Sequence, residues 1–135
     1  MVEARKQPTV LLVEDEALVR RNTAEDLRER GFGVVEAADG PQAIQALTAG
    51  PEPDLVFADL IIPGEPSGLD LARWIREHKP RLPIILTSGT VFQAVPANVA
   101  QAITELLHEP FFTKPYDINE VVARMRALLG SDPVS

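Results

Sequence analysis

Cysteine is absent from the 135 residues, so neither a disulfide framework nor a thiolate metal site is available. No apolar run approaches the length of a membrane span, and the N-terminal MVEARKQP lacks the hydrophobic stretch of a signal peptide. A cytoplasmic location is the expectation that follows. Clustered positive charge is missing too. Lys and Arg number 13 against 20 Asp and Glu, a net charge of −7. Nucleic acid and anionic membranes both demand basic clusters, so neither is expected as a direct partner. The one basic group, Arg20 and Arg21 with Arg28 and Arg30, is interleaved with Glu25, Asp26 and Glu29 and reads as a solvated helix face. No internal repeat, low-complexity tract or linker divides the chain.

What is present suits one globular domain with a real core: 45% hydrophobic and 24% charged residues, both ordinary for a soluble protein. Apolar runs alternate with amphipathic, capped segments. Residues 9–13 (TVLLV) read as a buried strand and 33–37 (GVVEA) as a more exposed one, with further strands at 54–58 (DLVFA), 83–87 (PIILT) and 110–113 (PFFT). The runs apolar throughout are what a parallel sheet covered on both faces requires. A first helix is expected over 16–30, with Ala17, Leu18, Ala24 and Leu27 as its stripe and Gly31 as its stop. The second runs from Asp39 and Pro41 to Gly50. The third is capped by Ser67, carries Leu69, Leu71, Ala72, Trp74 and Ile75, and ends before Pro80. The last opens on a capping box, Asp117 with Glu120, and runs through Val121, Val122, Met125, Leu128 and Leu129. Pro96 interrupts the fourth, which is placed from about Asn98 with Val99, Ile103, Leu106 and Leu107 inward. A long connection over 88–97 remains, holding Val91, Phe92 and Val95. Five βα repeats imply a doubly wound α/β domain with helices on both faces.

Ligands of such sheets sit beyond the carboxyl ends of the strands, where strand order reverses. Glu14 and Asp15 follow the first strand, Asp59 the third, Thr87 the fourth, with Ser88 and Gly89 after it, and Lys114 the fifth, before Pro115. Two carboxylates about 5 Å apart repel by roughly 3 kcal/mol at an effective dielectric of about 20. A chain tolerates that where a cation is meant to sit. Hard oxygen donors without His or Cys suit Mg²⁺, and a carboxylate can attack phosphorus. Lys114 and the Thr87 hydroxyl are placed to hold the oxygens of a transferred group.

At these residues the sequence resembles the receiver domains of two-component response regulators, over about 8–130. The matching motifs are VEDE after the first strand, DLIIPG after the third, LTSG after the fourth and TKP after the fifth. No one of them is specific; all four in order, each at a strand end, are. The resemblance implies a flavodoxin-like (βα)5 sheet of order 2-1-3-4-5. With only short flanks outside the first strand and last helix, a single domain, 1–135, with no effector domain is expected, either stand-alone or cut from a longer protein. It implies Asp59 as the phosphoacceptor, and Mg²⁺ bound by Asp15 and Asp59, by Glu14 through water, and by the backbone carbonyl of Ile61. Thr87 and Lys114 would each hold a phosphoryl oxygen, with a cis bond from Lys114 to Pro115. The switch pair would be Thr87 and the aromatic three residues before Lys114, Phe111. Phosphate would arrive from a sensor histidine kinase or a histidine phosphotransfer protein. Output would go to a downstream protein, or to a second copy through the face of the fourth helix, fifth strand and fifth helix.

Three departures stand out. The stretch DLIIPGEPSG, Asp59 to Gly68, is one residue longer than the family's usual spacing, so the loop before the third helix is expected to be remodelled. Ile61 and Gly89 put no polar side chain two places past Asp59 or Thr87, where it would orient attacking water. Phe111 has no hydroxyl, so any switch must work by ring packing.

Plainer readings compete at each position. Asp59 alone is a turn cap, Glu14 and Asp15 are first-turn acids on a helix dipole (the reading kept for Glu16), and Lys114 is a surface lysine. Their company reverses those odds. His78 and His108 read as surface residues near helix ends, Trp74 as part of a buried stripe. Val91, Phe92 and Val95 are expected on the core, with an exposed partner surface as the sharper alternative. Two other functions compete with a phosphate-accepting switch. A binding module that takes no phosphate is opposed by the intact acid, hydroxyl and lysine set. An enzyme on a similar sheet is opposed by Ile61, where an aspartate phosphohydrolase carries its second acid, and by carboxylates where a flavin carrier needs a phosphate loop.

Overall fold

A computed structural model of the protein describes residues 7–90, 92–107 and 111–130, Phe92 through its backbone alone. Five strands, β1 (Thr9–Val13), β2 (Gly33–Ala37), β3 (Leu55–Asp59), β4 (Ile84–Ser88) and β5 (Phe112–Thr113), form one sheet ordered β2-β1-β3-β4-β5. Every pairing is parallel. Five helices follow the strands: α1 (Ala17–Glu29), α2 (Gly40–Ala49), α3 (Gly68–His78), α4 (Ala97–Leu107) and α5 (Ile118–Leu129).

Side chains alternate across the pleat with period two, so each strand feeds two cores. Leu11, Val13, Val56, Ala58, Ile84 and Leu86 pack with Leu47, Leu71, Ile75 and Ile103 of α2, α3 and α4. Val10, Leu12, Leu55, Phe57 and Ile85 pack with Ala24, Leu27, Val121 and Met125 of α1 and α5. All positions of β3 and β4 are buried, as their unbroken apolar runs require. Both strands lie one residue further along than expected, because Asp59 pairs with Thr87 and Ser88 pairs with Thr113, which extends the ladder. At the other end the Asp54 carboxylate has turned aside to accept from Thr9 N–H at 2.8 Å. Within β5 only Phe112 and Thr113 pair as strand, and Pro110 lies outside the described residues.

The helix ends follow local chemistry. Gly31 takes φ +96° after α1, and Gly31 N–H and Phe32 N–H donate to Arg28 O and Leu27 O at 3.1 Å each. That is the paired bonding of a Schellman cap, where a left-handed residue satisfies carbonyls the helix leaves open. Asp39 Oδ1 accepts from Gln42 N–H at 2.8 Å to start α2, and Ser67 Oγ from Asp70 N–H at 3.3 Å to start α3. The expected capping box of α5 is replaced by a tighter cap, Asp117 Oδ1 accepting from Asn119 N–H at 2.8 Å.

The stripe expected on α1 needs correction. Thr23, Ala24 and Leu27 are buried, whereas Ala17 is exposed and Leu18 is 71% exposed. At about 100° per residue Leu18 lies on the opposite side of the helix from Leu27, away from the core that Leu27 enters. The connection over 88–97 contains a 3₁₀ turn, Phe92–Ala94. Val95 packs on the core as expected; Val91, the Phe92 ring and His108 lie outside the described residues. α4 buries Ile103 fully, with Val99, Leu106 and Leu107 partly covered. His78 is exposed on α3, stacked on the half-buried Trp74 with ring centroids 4.4 Å apart.

Candidate functional site

The sheet delivers its site residues to one edge. β1 hands over to Glu14, whose N–H donates to Ala37 O at 3.0 Å in β2. Glu14 is buried, and Asp15 beside it is exposed. β3 ends on Asp59, also buried, and Lys114 follows β5. Lys114 Nζ donates to Glu14 Oε1 and to Asp59 Oδ2, each at 2.6 Å. The other oxygen of each acid is held by backbone: Glu14 Oε2 accepts from Glu16 N–H at 3.1 Å, and Asp59 Oδ1 from Ile61 N–H at 3.1 Å. One carboxylate oxygen from each of Glu14, Asp15 and Asp59 lies within 4.8 Å of the others, the one such cluster among the described residues.

One ammonium thus bridges two of the three clustered carboxylates. Burial alone would push the Lys114 amine down, but its hydrogen bonds to Asp59 and Glu14, with their charges, outweigh it and raise it well above the ordinary 10.5. Lys114 is therefore a cation throughout the neutral range and the acids remain in excess. Three oxygen donors that close, with no imidazole or thiolate, fit a small hard cation such as Mg²⁺.

The remaining site residues are found as follows. Thr87 sits beside Asp59 in the β3–β4 register and is buried, but its Oγ1 donates to Phe112 O at 2.9 Å, toward β5. Ser88 is buried, its Oγ accepting from Thr90 N–H at 3.1 Å. Phe111 is buried in the core that holds Ile84, Leu86 and Ile103. Ile61 exposes 71% of its surface and meets Asp59 through its amide. The Lys114–Pro115 bond is cis, as the resemblance implied. The long loop after β3 contains a second cis bond, Glu65–Pro66, and leans on the start of α2, with Pro66 O pressed against Gly40. Gly68 begins α3 directly against the backbone of Asp59 and Leu60: an added Cβ would lie 2.2 Å from Asp59 O.

Arg20 escaped the sequence reading, which placed it on a solvated face. Its side chain is 19% exposed and spans two elements. One guanidinium nitrogen donates to Glu14 O at 2.7 Å, and Nε donates to Glu36 Oε1 at 3.3 Å on β2. Arg28 joins the other Glu36 oxygen at 3.4 Å. The available signal was Glu36 itself, an acid inside an otherwise apolar strand adjacent to β1. A second missed contact joins Thr23 Oγ1 to Tyr116 OH at 3.2 Å, tying α1 to the segment after Lys114.

A parallel 2-1-3-4-5 sheet whose strand ends gather an acidic pair, an aspartate, a threonine and a lysine before a cis proline defines a class of signalling domain. The family profile described as the response regulator receiver domain matches residues 10–126. The chain belongs to that family, the receiver domains of two-component response regulators. It is 38% identical over 130 residues to the probable transcriptional regulatory protein TcrX of Mycobacterium tuberculosis, covering 96% of this chain and 53% of the relative. It is 39% identical over 108 residues to the sensor kinase CckA of Brucella abortus, covering 78% of this chain and 11% of that protein. The chain therefore spans about half the length of the first relative and a small part of the second. Among solved structures it is similar to the response regulator TrrA of Thermotoga maritima, described in complex with Mg²⁺–BeF. The TM-score is 0.75 and the identity 27%, covering 90% of this chain and 98% of that one. No helix among the described residues is long and apolar enough to cross a membrane.

Proposed function

We propose that this receiver takes a phosphoryl group onto Asp59 from a phosphohistidine, carried by a sensor histidine kinase or a histidine phosphotransfer protein. The observation that carries this reading is the Asp59 carboxylate, held at a strand end between Lys114 Nζ at 2.6 Å and the acidic pair. In the transfer an Asp59 oxygen attacks phosphorus, a P–O bond forms and the P–N bond breaks. The electron pair returns to the imidazole nitrogen of the donor. Hydrolysis reverses the modification: water attacks phosphorus, the P–O bond to Asp59 breaks, and carboxylate and inorganic phosphate remain.

Glu14, Asp15, Asp59 and the carbonyl of Ile61 are the residues that would hold Mg²⁺, Glu14 through water. When bound, Mg²⁺ supplies charge neutralisation for the oxygens of the incoming group. The likeness to TrrA, whose solved complex contains Mg²⁺–BeF, supports that assignment. Lys114, already an ammonium beside Asp59, exchanges part of its carboxylate contact for a phosphoryl oxygen. Thr87 exchanges Phe112 O for another, and Phe111 repacks against the space its turning vacates. Chemistry on this reading is limited to the domain's own phosphorylation and dephosphorylation. The signal leaves through protein contacts on α4, β5 and α5, to a downstream protein or a second copy, in the cytoplasm, with 1–135 acting as one domain.

Incubation with Mg²⁺ and acetyl phosphate, followed by intact mass measurement, tests the reading. The wild type gains the mass of one phosphoryl group and Asp59→Asn does not. An unchanged wild-type mass, under conditions that label a second receiver, would instead favour a module that binds its partner without taking phosphate.

A further inference from the structure

The geometry points to Arg20, with Glu36 as its counter-charge, as the positioning residue that aims the Glu14–Asp15 pair at the cation site. The inference rests on the reading of that site given above. Glu14 is the best-held residue of the edge. Its N–H is bound to Ala37 O at 3.0 Å, its side chain to Lys114 Nζ at 2.6 Å and Glu16 N–H at 3.1 Å, and its carbonyl to the Arg20 guanidinium at 2.7 Å. That carbonyl belongs to the peptide unit joining Glu14 to Asp15, so its direction sets where the Asp15 side chain leaves the backbone. Asp15 is exposed, and among the described residues no hydrogen bond or ion pair holds its side chain. Its aim therefore depends on the peptide that precedes it.

The guanidinium is suited to the task because its fork can serve two acceptors in a fixed plane. Glu14 O takes one arm and Glu36 Oε1 the other, on the neighbouring strand. The β1–β2 register places Val13 beside Ala37 and Leu12 beside Glu36, so the acid is anchored next to the turn it helps to orient. Glu36 also neutralises Arg20, which would otherwise set a bare positive charge close to a bound cation. Arg28 holds the second Glu36 oxygen at 3.4 Å and keeps that carboxylate in place. Groups that orient metal ligands from behind typically change metal affinity by about 10–100-fold when removed.

Calorimetric titration of the full chain with Mg²⁺, beside urea unfolding in EDTA, tests this. Arg20→Ala is expected to weaken the Mg²⁺ Kd by about 10-fold. Arg20→Lys, which keeps the charge and one donor arm, recovers part of that loss, and Glu36→Gln weakens binding by a smaller factor. Arg73→Ala, at the exposed Arg73–Asp70 pair on α3 that touches none of these groups, leaves the Kd near wild type. A wild-type Kd in Arg20→Ala and Glu36→Gln, with only a lower unfolding midpoint, would overturn the proposal and leave Arg20 a brace between α1 and β2. Should Arg20→Ala not fold, Glu36→Gln and Arg20→Lys decide the matter by the same Kd comparison. A wild type without any Mg²⁺ heat would instead bring down the reading of the site, and this inference with it.

Discussion

Lys114 and Glu14 stand 100 positions apart in the chain, and their side chains meet at 2.6 Å, the lysine reaching Asp59 at the same distance. The contact closes the sheet edge between β1, β3 and β5. Most of its value is compensation, because the carboxylates are buried and repel one another whether or not the lysine is there.

Lys114→Met removes the one described ammonium among those acids. Truncating one partner of a buried pair leaves the other charge uncompensated, and the partial exposure of Lys114 discounts the cost. A loss of about 2–3 kcal/mol is expected from urea unfolding in EDTA at neutral pH. Part of it should return with Mg²⁺, since a cation that binds only the folded chain stabilises it. A variant that unfolds at the wild-type urea concentration in EDTA would show that the ammonium is not the counter-charge.

The same contact sets an alkaline limit. For Lys114, burial opposes the charge but Asp59 and Glu14 more than restore it, so the folded value lies above the ordinary 10.5. Its contribution is fully present below that ordinary value and is lost as pH rises through the folded one. Tyr116 is raised above 10.0 by burial, against the Thr23 hydrogen bond and the Lys114 charge. The unfolded chain therefore ionises its phenol first, and stability falls in the same direction. Urea midpoints should owe no decline to either group up to about pH 9 and should fall beyond about pH 10. Lys114→Met and Tyr116→Phe should each flatten that fall. Unchanged slopes in both variants would refute the assignment.

Glycine 68 tests how closely the site depends on packing behind it. An alanine Cβ there would sit 2.2 Å from Asp59 O and 2.4 Å from Leu60 O, backbone atoms that cannot swing aside. Gly68→Ala should cost about 3 kcal/mol or more in urea and reduce phosphoryl labelling of Asp59. Gly50→Ala is the control. Its Cβ would meet nothing within 4 Å, and a change of no more than about 0.5 kcal/mol is expected.

On α1 the two leucines should behave as opposites. Leu27 is fully buried and Leu18 is 71% exposed. Leu27→Ala is expected to cost about 2–5 kcal/mol, through lost burial and the cavity left behind. Leu18→Gln should stay within about 0.5 kcal/mol. Equal costs would mean that the helix is rotated from the orientation described.

That pair also shows what was legible in the chain and what was not. The strands could be read because β3 and β4 are buried on both faces and had to be apolar throughout, and because turns, caps and prolines delimit them. The gathering of these residues could be read because Glu14 and Lys114 follow β1 and β5 while Asp59 and Thr87 lie at the ends of β3 and β4, so that parallel order alone brings them to one edge. Leu18 misled because an apolar residue on the outer side of a helix looks, in one dimension, like a core residue. The capping box misled because Asp117 had two nearby amides to choose from, and spacing does not say which it takes. Thr87 was read correctly in place, yet the direction of its hydroxyl depends on Phe112 O, 25 positions away. Arg20 was missed for a related reason: its partners lie on two other elements, and charge counting along one helix reports neither.

Pro66 O occupies the space where residue 40 would carry its first side-chain carbon, 2.1 Å from that point. The segment bearing Ile61 and the start of the second helix are thus fitted to each other, like a key cut for one lock. A graft that swaps in a shorter loop from a related domain should succeed only if the residue at position 40 is chosen afresh with it. Sequence libraries that vary either alone will sample mostly failures.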